Sequence, residues 1–179
     1  MNIWHEMAES RISPEHFSAV IEIEKGGKNK YELDKETGLL KLDRVLHTST
    51  HYPANYGFIP RTYAQDDDPL DVLVLCTESI VPMTIVECFP IGVIKMVDNG
   101  QVDEKIIAVC QNDPYHNQFS DVSELPTHLF AEIKHFYEVY KMLEYKETIV
   151  NVVESAEEAK SIIKECIETY KEKFIIDNY

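Results

Sequence analysis

The sequence predicts a mainly β protein with α-helices, in which a small antiparallel or mixed barrel of short strands is flanked by two C-terminal helices. Two observations favour this fold class. The first two-thirds of the 179 residues contains short apolar and β-branched runs separated by turn residues, and the last third carries apolar residues at steps of three and four. At this length and with 44% hydrophobic residues, the chain is expected to form a single domain over residues 1–179.

The predicted strands begin at Phe17–Glu24, which alternates between apolar residues on one face and glutamates on the other. A second strand at Lys30–Asp34 leads into a hairpin turn, where Gly38 can supply a positive φ. The strand Leu39–Leu46 returns from this turn. Further β-branched runs predict strands at Val72–Leu75, Ile85–Val97 (interrupted at Pro90) and Lys105–Cys110.

Two amphipathic helices are expected at the C-terminal end. Apolar residues recur at helical spacing over Leu125–Leu143, which predicts one helix with one apolar stripe. The second helix opens with a capping box formed by Ser155 and Glu158. Both stripes are interpreted as faces that pack on the core, and no chemistry is assigned to them.

Charge and composition narrow the classes of function. Seventeen Lys and Arg residues stand against 32 Asp and Glu residues, and the net charge of −15 argues against a nucleic-acid or anionic membrane partner. The first twenty residues lack the apolar stretch of a signal peptide, and no run is long enough to span a membrane, so the protein is expected in the cytoplasm. The four cysteines are irregularly spaced and are interpreted as reduced thiols.

The most informative segment is the acidic run from Asp66 to Asp71. Two carboxylates about 4 Å apart repel each other by about 4 kcal/mol at an effective dielectric near 20, a cost that a solvated turn avoids. Here the run leads directly into an apolar strand, and Pro69 restricts the backbone between Asp68 and Asp71. Carboxylates held together in this way suit Mg²⁺ or Mn²⁺. An EF-hand is excluded, because the twelfth position of such a loop would be Thr77.

Two other groups of charged residues are ambiguous when taken alone. Asp98 and Asp103 flank a short polar loop and are followed by Lys105, a pattern that also occurs in ordinary hairpin turns. Glu22 and the segment 30–32 would by themselves indicate a solvated strand face.

Six blocks of the sequence, taken together, change this interpretation. The chain contains, in this order, VIEIEKGGKNKYELDKETG, LDRVL, YPANYGFIP, DDDPLDVLVL, IGVIKMVDNGQVDEK and HFYEVYKMLE. These blocks resemble those of the soluble inorganic pyrophosphatases, the magnesium-dependent family I enzymes of bacterial type. The family signature, Asp-x-Asp-Pro-hydrophobic-Asp-hydrophobic, is met by residues 66–72. The resemblance implies a small closed OB-like β-barrel with two C-terminal helices, assembled as a homohexamer.

The resemblance also implies a role for each of thirteen residues. The expected metal ligands are Asp66, Asp71 and Asp103 for two activating Mg²⁺ ions, and Glu22, Glu32 and Asp98 for ions that arrive with the substrate, up to four in all. Mn²⁺ is a possible substitute. Asp68 is expected to activate or orient the attacking water. The expected phosphate contacts are Lys30, Arg44, Lys105, Tyr140, Lys141 and, on the leaving side, Tyr56. Asp67, where relatives often have a small residue, is expected to add a charge beside the metals.

The implied reaction is the hydrolysis of pyrophosphate to two orthophosphates by in-line attack of water, without a covalent intermediate. Two alternatives remain open from the sequence. One is a hydrolase of another phosphoanhydride, such as a nucleotide or polyphosphate, although no segment indicates a pocket for a base. The other is a non-catalytic acidic domain that binds divalent cations, which leaves the lysines and Arg44 unexplained.

Overall fold

A computed structural model describes residues 1–175, in which the chain forms eight strands, three α-helices and three short 3₁₀ turns. The strands are β1 Phe17–Ile23, β2 Asn29–Leu33, β3 Leu40–Val45, β4 Asn55–Phe58, β5 Asp71–Leu75, β6 Ile85–Asp98, β7 Gln101–Cys110 and β8 Thr148–Ser155. The helices are α1 Ile3–Glu6, α2 Thr127–Val139 and α3 Ala156–Phe174, and the 3₁₀ turns are Glu9–Arg11, Val122–Glu124 and Met142–Glu144. No helix in this part of the chain is both long and apolar enough to cross a membrane.

Five strands close into a ring in the order β1, β4, β5, β7 and β6, because β6 pairs back onto β1. All pairs in the ring are antiparallel except β5 with β7. Strand β8 extends the sheet beyond β6, and β2 with β3 forms a separate hairpin. The predicted mainly β fold, with a closed sheet and two C-terminal helices, is confirmed.

The ring closes tightly between β1 and β4. A Cβ atom placed on Gly57 would lie 1.9 Å from the carbonyl oxygen of Val20, so only glycine fits where the two backbones meet. The hairpin turn between β2 and β3 has Gly38 at a φ of +75°, as the sequence predicts.

Several local predictions are wrong. Strand β6 is not interrupted at Pro90 but continues through it, with a shift of register between Pro90 and Gly92 that accommodates the missing backbone donor. All seven residues of β1 are buried, so Glu22 does not lie on a solvated face. Strands β4 and β8 were not expected. Helix α2 ends at Val139, and the chain then turns sharply, with Tyr145 at a φ of +57°.

Two apolar clusters lie on opposite faces of the ring strands, one beneath each long helix. Helix α3 packs Ile163 and Tyr170 against a cluster that contains Phe17 and Trp4. Helix α2 packs its aromatic residues against Tyr52, Tyr56 and Leu73 on the other side. The α3 cap is half of the predicted box: Ser155 Oγ accepts from the Glu158 amide at 3.4 Å, whereas the Glu158 carboxylate pairs with Lys95 at 2.6 Å.

Candidate active site

Twelve of the thirteen residues singled out from the sequence line one cavity of about 230 Å³, called here the acidic cavity. Its charged lining consists of seven carboxylates and four lysines, which are Glu22, Glu32, Asp66, Asp68, Asp71, Asp98 and Asp103 with Lys30, Lys35, Lys105 and Lys141. The phenols of Tyr56 and Tyr140 complete the predicted set. Arg44 is the predicted residue that does not line it.

Strand pairing explains why residues distant in the sequence meet here. Asp71 begins β5 and lies opposite Lys105 in the parallel pair that β5 forms with β7. Strands β6 and β7 form a hairpin that carries Asp98 at the end of one strand and Asp103 near the start of the other. The segment that follows α2 brings Tyr140 and Lys141 to the same cavity. The cavity therefore depends on closure of the strand ring.

The acidic run folds as an ordered loop. Its end is anchored by Leu70, which is fully buried and whose amide donates to Thr62 Oγ1 at 2.8 Å. Asp67 adopts a φ of +66° and turns its carboxylate to the Tyr63 hydroxyl, outside the acidic cavity. The prediction that Asp67 adds its charge to the metal-binding side of this run is therefore wrong. The other three aspartates of the run line the cavity.

Lys105 forms the floor of the acidic cavity and is only 3% exposed. Its Nζ lies 2.8 Å from Asp71 Oδ2, 3.2 Å from Asp103 Oδ1 and 3.2 Å from the Tyr56 hydroxyl. Burial disfavours the ammonium, but the two carboxylates outweigh that effect and hold the pKa of Lys105 well above its usual value. Lys105 is therefore a fixed positive charge beneath the ligand space.

Two carboxylates in the acidic cavity have no cationic partner. Among residues 1–175, no Lys, Arg or His nitrogen lies within 4.0 Å of Glu22 or Asp66. Burial, followed by the charge of Asp71, raises the pKa of Glu22 to about 8. Burial and the neighbouring aspartates raise the pKa of Asp66 to about 6. Positive charge is thus lacking at this side of the cavity.

The remaining lysines each compensate acidic groups. Lys141 forms an ion pair with Asp98, and Lys35 forms one with Asp68. Lys30 Nζ lies 3.6 Å from Glu32 Oε2 and 3.5 Å from Asp43 Oδ2. Seven acids against four lysines leave the cavity with an excess of negative charge when all the groups are ionised.

Arg44 lies beside the acidic cavity. Its Nε is 2.8 Å from Glu144 Oε1, and its Nη1 donates to the adjacent Asp43. These two carboxylates hold the guanidinium away from the cavity lining, although Arg44 is paired in register with Lys30. Among residues 1–175, its buried Nη2 and the buried Glu144 Oε2 have no hydrogen-bond partner.

Four polar or aromatic lining residues were not assigned to the site from the sequence, namely Trp4, Tyr31, Lys35 and Phe58. Tyr31 and Phe58 lie next to or near assigned residues of their own strands, whereas Lys35 and Trp4 do not. Lys35 belongs to the turn between β2 and β3, and Trp4 belongs to α1. The only sequence signal for Lys35 is its place in a charged turn, and nothing in the first twenty residues links Trp4 to that turn. Their proximity results from tertiary packing.

The residues fit a divalent cation by their chemistry. Carboxylate oxygens are the ligand atoms that Mg²⁺ and Mn²⁺ prefer. In the part of the chain that the structure describes, those of Glu22 and Asp66 have no cationic side chain within 4.0 Å to compensate their charge. Within residues 1–175, no three Asp, Glu, His or Cys side chains already converge closely enough to hold one ion. The ammonium of Lys105 lies between two of the candidate ligands instead.

A closed strand ring that carries carboxylates and lysines in one small cavity defines a class of protein that binds a polyanion together with divalent cations. The family model described as inorganic pyrophosphatase matches residues 19–171. The chain belongs to the inorganic pyrophosphatase family, as the resemblance of its six sequence blocks predicts.

Individual relatives agree with this assignment. Soluble inorganic pyrophosphatase 2 of Chlamydomonas reinhardtii is 49% identical over 172 residues, which cover 96% of this chain and 90% of the relative. Soluble inorganic pyrophosphatase 4 of Arabidopsis thaliana is 45% identical over 175 residues, with coverage of 98% and 81%. The crystal structure of the Thermus thermophilus inorganic pyrophosphatase superposes with a TM-score of 0.91 at 38% identity, covering 96% of this chain and 99% of that one.

Proposed function

We propose that this protein hydrolyses inorganic pyrophosphate to two orthophosphates with the help of divalent cations, of which Mg²⁺ is the principal one. The observation that carries the proposal is the acidic cavity, where seven carboxylates and four lysines face one small space. Acids alone would repel a polyanion, and lysines alone would not need the acids. The combination suits an anion that binds together with cations, and membership of the inorganic pyrophosphatase family supports this substrate.

The carboxylates divide into two groups in this proposal. Asp66, Asp71 and Asp103 would hold two activating ions, and Glu22, Glu32 and Asp98 would hold those that enter with the substrate, up to four in all, with Mn²⁺ as a substitute. Bound divalent cations polarise phosphoryl oxygens and make a nucleophilic water available at neutral pH. Each group contains one acid without a cationic side chain nearby, Asp66 in the first and Glu22 in the second, so both groups lack positive charge.

The lysines and phenols bind the phosphoryl groups. Lys30, Lys105 and Lys141 supply positive charge that is worth more in the partly buried cavity than in water. Burial raises the pKa of Tyr56 well above its usual value, so the hydroxyl stays protonated and can donate to the departing phosphate oxygen. Burial has the same effect on the pKa of Tyr140, which also lines the cavity.

Asp68 is the residue proposed to orient the attacking water. Its side chain is 52% exposed, so solvent reaches it directly. It lines the cavity beside Asp66, whose Oδ1 accepts a hydrogen bond from the Asp68 amide at 3.3 Å. A water molecule oriented by Asp68 would attack phosphorus in line with the departing phosphate. This reaction needs no covalent intermediate. Arg44 would stabilise charge on the phosphates after leaving Glu144.

The alternative of a nucleotide or long polyphosphate as substrate is less well supported. The acidic cavity, at about 230 Å³, is smaller than the roughly 300–1,000 Å³ typical of sites for larger organic ligands. Its lining is dominated by charged side chains and offers little apolar surface for a base. A pure cation-binding domain would have no use for the buried ammonium of Lys105.

The remaining expectations follow from the resemblance and are part of the same proposal. The protein would act in the cytoplasm as a homohexamer, with pyrophosphate as its small-molecule ligand. Sedimentation of the full chain tests the assembly, since a monomer at micromolar concentration would contradict it.

The test of the reaction is phosphate release from pyrophosphate, ATP and tripolyphosphate in the presence of Mg²⁺. Pyrophosphate should be strongly preferred, and Asp68→Asn and Asp71→Asn should each reduce turnover by about 100-fold or more. Asp67→Asn is the matched control, because Asp67 lies between Asp66 and Asp68 but turns away from the cavity. Equal loss of activity in the control, or equal hydrolysis of ATP, would contradict the proposal.

A further inference from the structure

Lys35 is the one lysine of the acidic cavity that the proposed roles leave without a task. It lies in the turn after β2, its side chain is 49% exposed, and its ammonium pairs with the carboxylate of Asp68. We propose that Lys35 is a further substrate-binding residue, which exchanges Asp68 for a phosphoryl oxygen when the anion enters. This inference rests on the proposed function and adds a group at the mouth of the same site.

The N-terminal segment contacts both the backbone and the side chain of Lys35. The Asn2 side-chain amide donates to the Lys35 carbonyl at 2.8 Å, which fixes the turn. The ring of Trp4 lies beneath the ammonium, with Nζ 5.3 Å from the ring centroid, a cation–π distance.

Trp4 is itself firmly placed. Its indole Nε1 donates to the Thr62 carbonyl at 2.9 Å, and the residue is only 4% exposed. Its ring also stacks on His5 at a centroid distance of 4.5 Å. The Lys35 side chain therefore crosses a rigid aromatic surface to reach the cavity mouth. Its flexible stem allows the ammonium to change partner there.

The present partner of Lys35 is easily exchanged. Both members of the ion pair are about half exposed, and exposed ion pairs contribute little stability. A phosphoryl group offers more negative charge and several acceptor oxygens, so the ammonium gains a stronger hydrogen bond by the exchange. The same movement frees the carboxylate of Asp68, which the proposed function requires for the water.

The first experiment compares Lys35→Gln with Lys41→Gln. Lys41 is an exposed residue of β3 on the same hairpin, carries the same charge and does not line the cavity. Lys35→Gln should raise the KM for pyrophosphate by about 5–10-fold, less than a buried charged hydrogen bond would give because the group is half exposed. The control should keep its KM, and Lys35→Arg should restore most of the affinity.

The second experiment uses fluorescence, because Trp4 is the single tryptophan of the chain. Addition of inorganic phosphate with Mg²⁺ should move the ammonium off the indole and change its emission in the wild type and in Lys41→Gln, but not in Lys35→Gln. A merely structural role for Lys35 would alter the melting temperature and leave the response to phosphate in place.

The assignment is overturned if Lys35→Gln matches Lys41→Gln in KM or shows the wild-type emission change with phosphate. This failure is distinct from failure of the proposed function. A wild type that shows a Lys35-dependent response to phosphate but does not split pyrophosphate would refute the reaction and leave the anion contact intact.

Discussion

At the floor of the acidic cavity, the ammonium of Lys105 contacts two carboxylates and a phenol. Removing one member of a buried ion pair typically destabilises a protein by about 3–5 kcal/mol, because the other charge is left without compensation. In this cavity Asp71 is 22% exposed and Asp103 is 13% exposed, so water can relieve part of that cost. We therefore expect Lys105 to affect stability and, under the proposed function, substrate binding as well.

Lys105→Met should lower the free energy of unfolding by about 2 kcal/mol in metal-free buffer, as read from denaturant titration. Addition of Mg²⁺ should recover part of the loss, because the abandoned carboxylates gain another cation. Lys164→Met, on an exposed position of α3, provides a control for loss of one charge. A variant as stable as the wild type at pH 8 without metal would show that the ion pairs contribute little.

Asp113 is a structural carboxylate remote from the cavity. It accepts hydrogen bonds from the Thr77 amide at 2.6 Å, the Tyr115 amide at 3.0 Å and His116 Nδ1 at 2.8 Å. Burial opposes its ionisation, but these hydrogen bonds outweigh burial and hold the pKa of Asp113 well below its usual value. A carboxyl whose pKa is lower in the folded protein stabilises it above the unfolded pKa, about 3.9, and loses that effect as the pH falls further.

Asp113→Asn should therefore cost about 2 kcal/mol at pH 7, the scale of hydrogen bonds to a charged group. The difference between variant and wild type should shrink as the pH falls from 5 to 3. Thermal unfolding of both proteins across that range gives the comparison, and a difference that stays constant with pH would contradict the role of the ionised carboxylate.

At the scale of elements, ring closure positions the site. Strand β4 places Tyr56 beside Lys105, and it can lie against β1 only because Gly57 has no side chain. The turn that follows helix α2 supplies Tyr140. The site is therefore sensitive to substitutions at the strand contact, even where those residues touch no ligand.

Gly57→Ala should displace β4 from β1, since the new methyl group would meet the Val20 carbonyl. We expect a loss of about 3 kcal/mol in unfolding free energy, the upper part of the range for overpacking, and a fall in turnover because Tyr56 moves with the strand. A methyl group at position 26 would meet no atom of residues 1–175 within 4 Å, so Gly26→Ala should lose only about 1 kcal/mol for its φ of +83°. Equal melting temperatures for the two variants would contradict the steric argument.

Sequence patterns predicted some elements and missed others for identifiable reasons. The long helices were found because their apolar stripes are periodic, whereas β4 is only four residues long and β8 pairs at the edge of the sheet. The strand that contains Pro90 was divided in prediction because a bulge cannot be read from residue types. Helix α2 was overextended because Leu143, which fits the stripe, is 59% exposed.

The site was predicted in the same uneven way. Twelve predicted residues lie in the six sequence blocks that resemble the family, and these residues line the cavity together. Local sequence was sufficient to predict them. Lys35 and Trp4 were missed because their approach depends on packing between the N-terminal segment and a hairpin. Arg44 was expected in the cavity, but the competing carboxylate of Glu144 comes from a turn one hundred residues further along the chain.

At the scale of the whole molecule, acidic residues exceed basic ones both in the entire chain and in the acidic cavity. The chain carries a net charge of −15, and the acidic cavity has more carboxylates than lysines. A pyrophosphate ion would be repelled from such a surface unless cations accompany it. The central claim is therefore that the carboxylates of the cavity recruit divalent cations before the anion can bind.

Calorimetric titration of Mg²⁺ into the metal-free protein tests this claim most directly, using the wild type, Asp71→Asn and the control Asp67→Asn. The wild type and the control should bind Mg²⁺ with similar affinity, and Asp71→Asn should bind at least about tenfold more weakly, because a ligand facing both Asp66 and Asp103 loses its charge. Unchanged Mg²⁺ binding by Asp71→Asn, or an absence of binding by the wild type, would contradict the account.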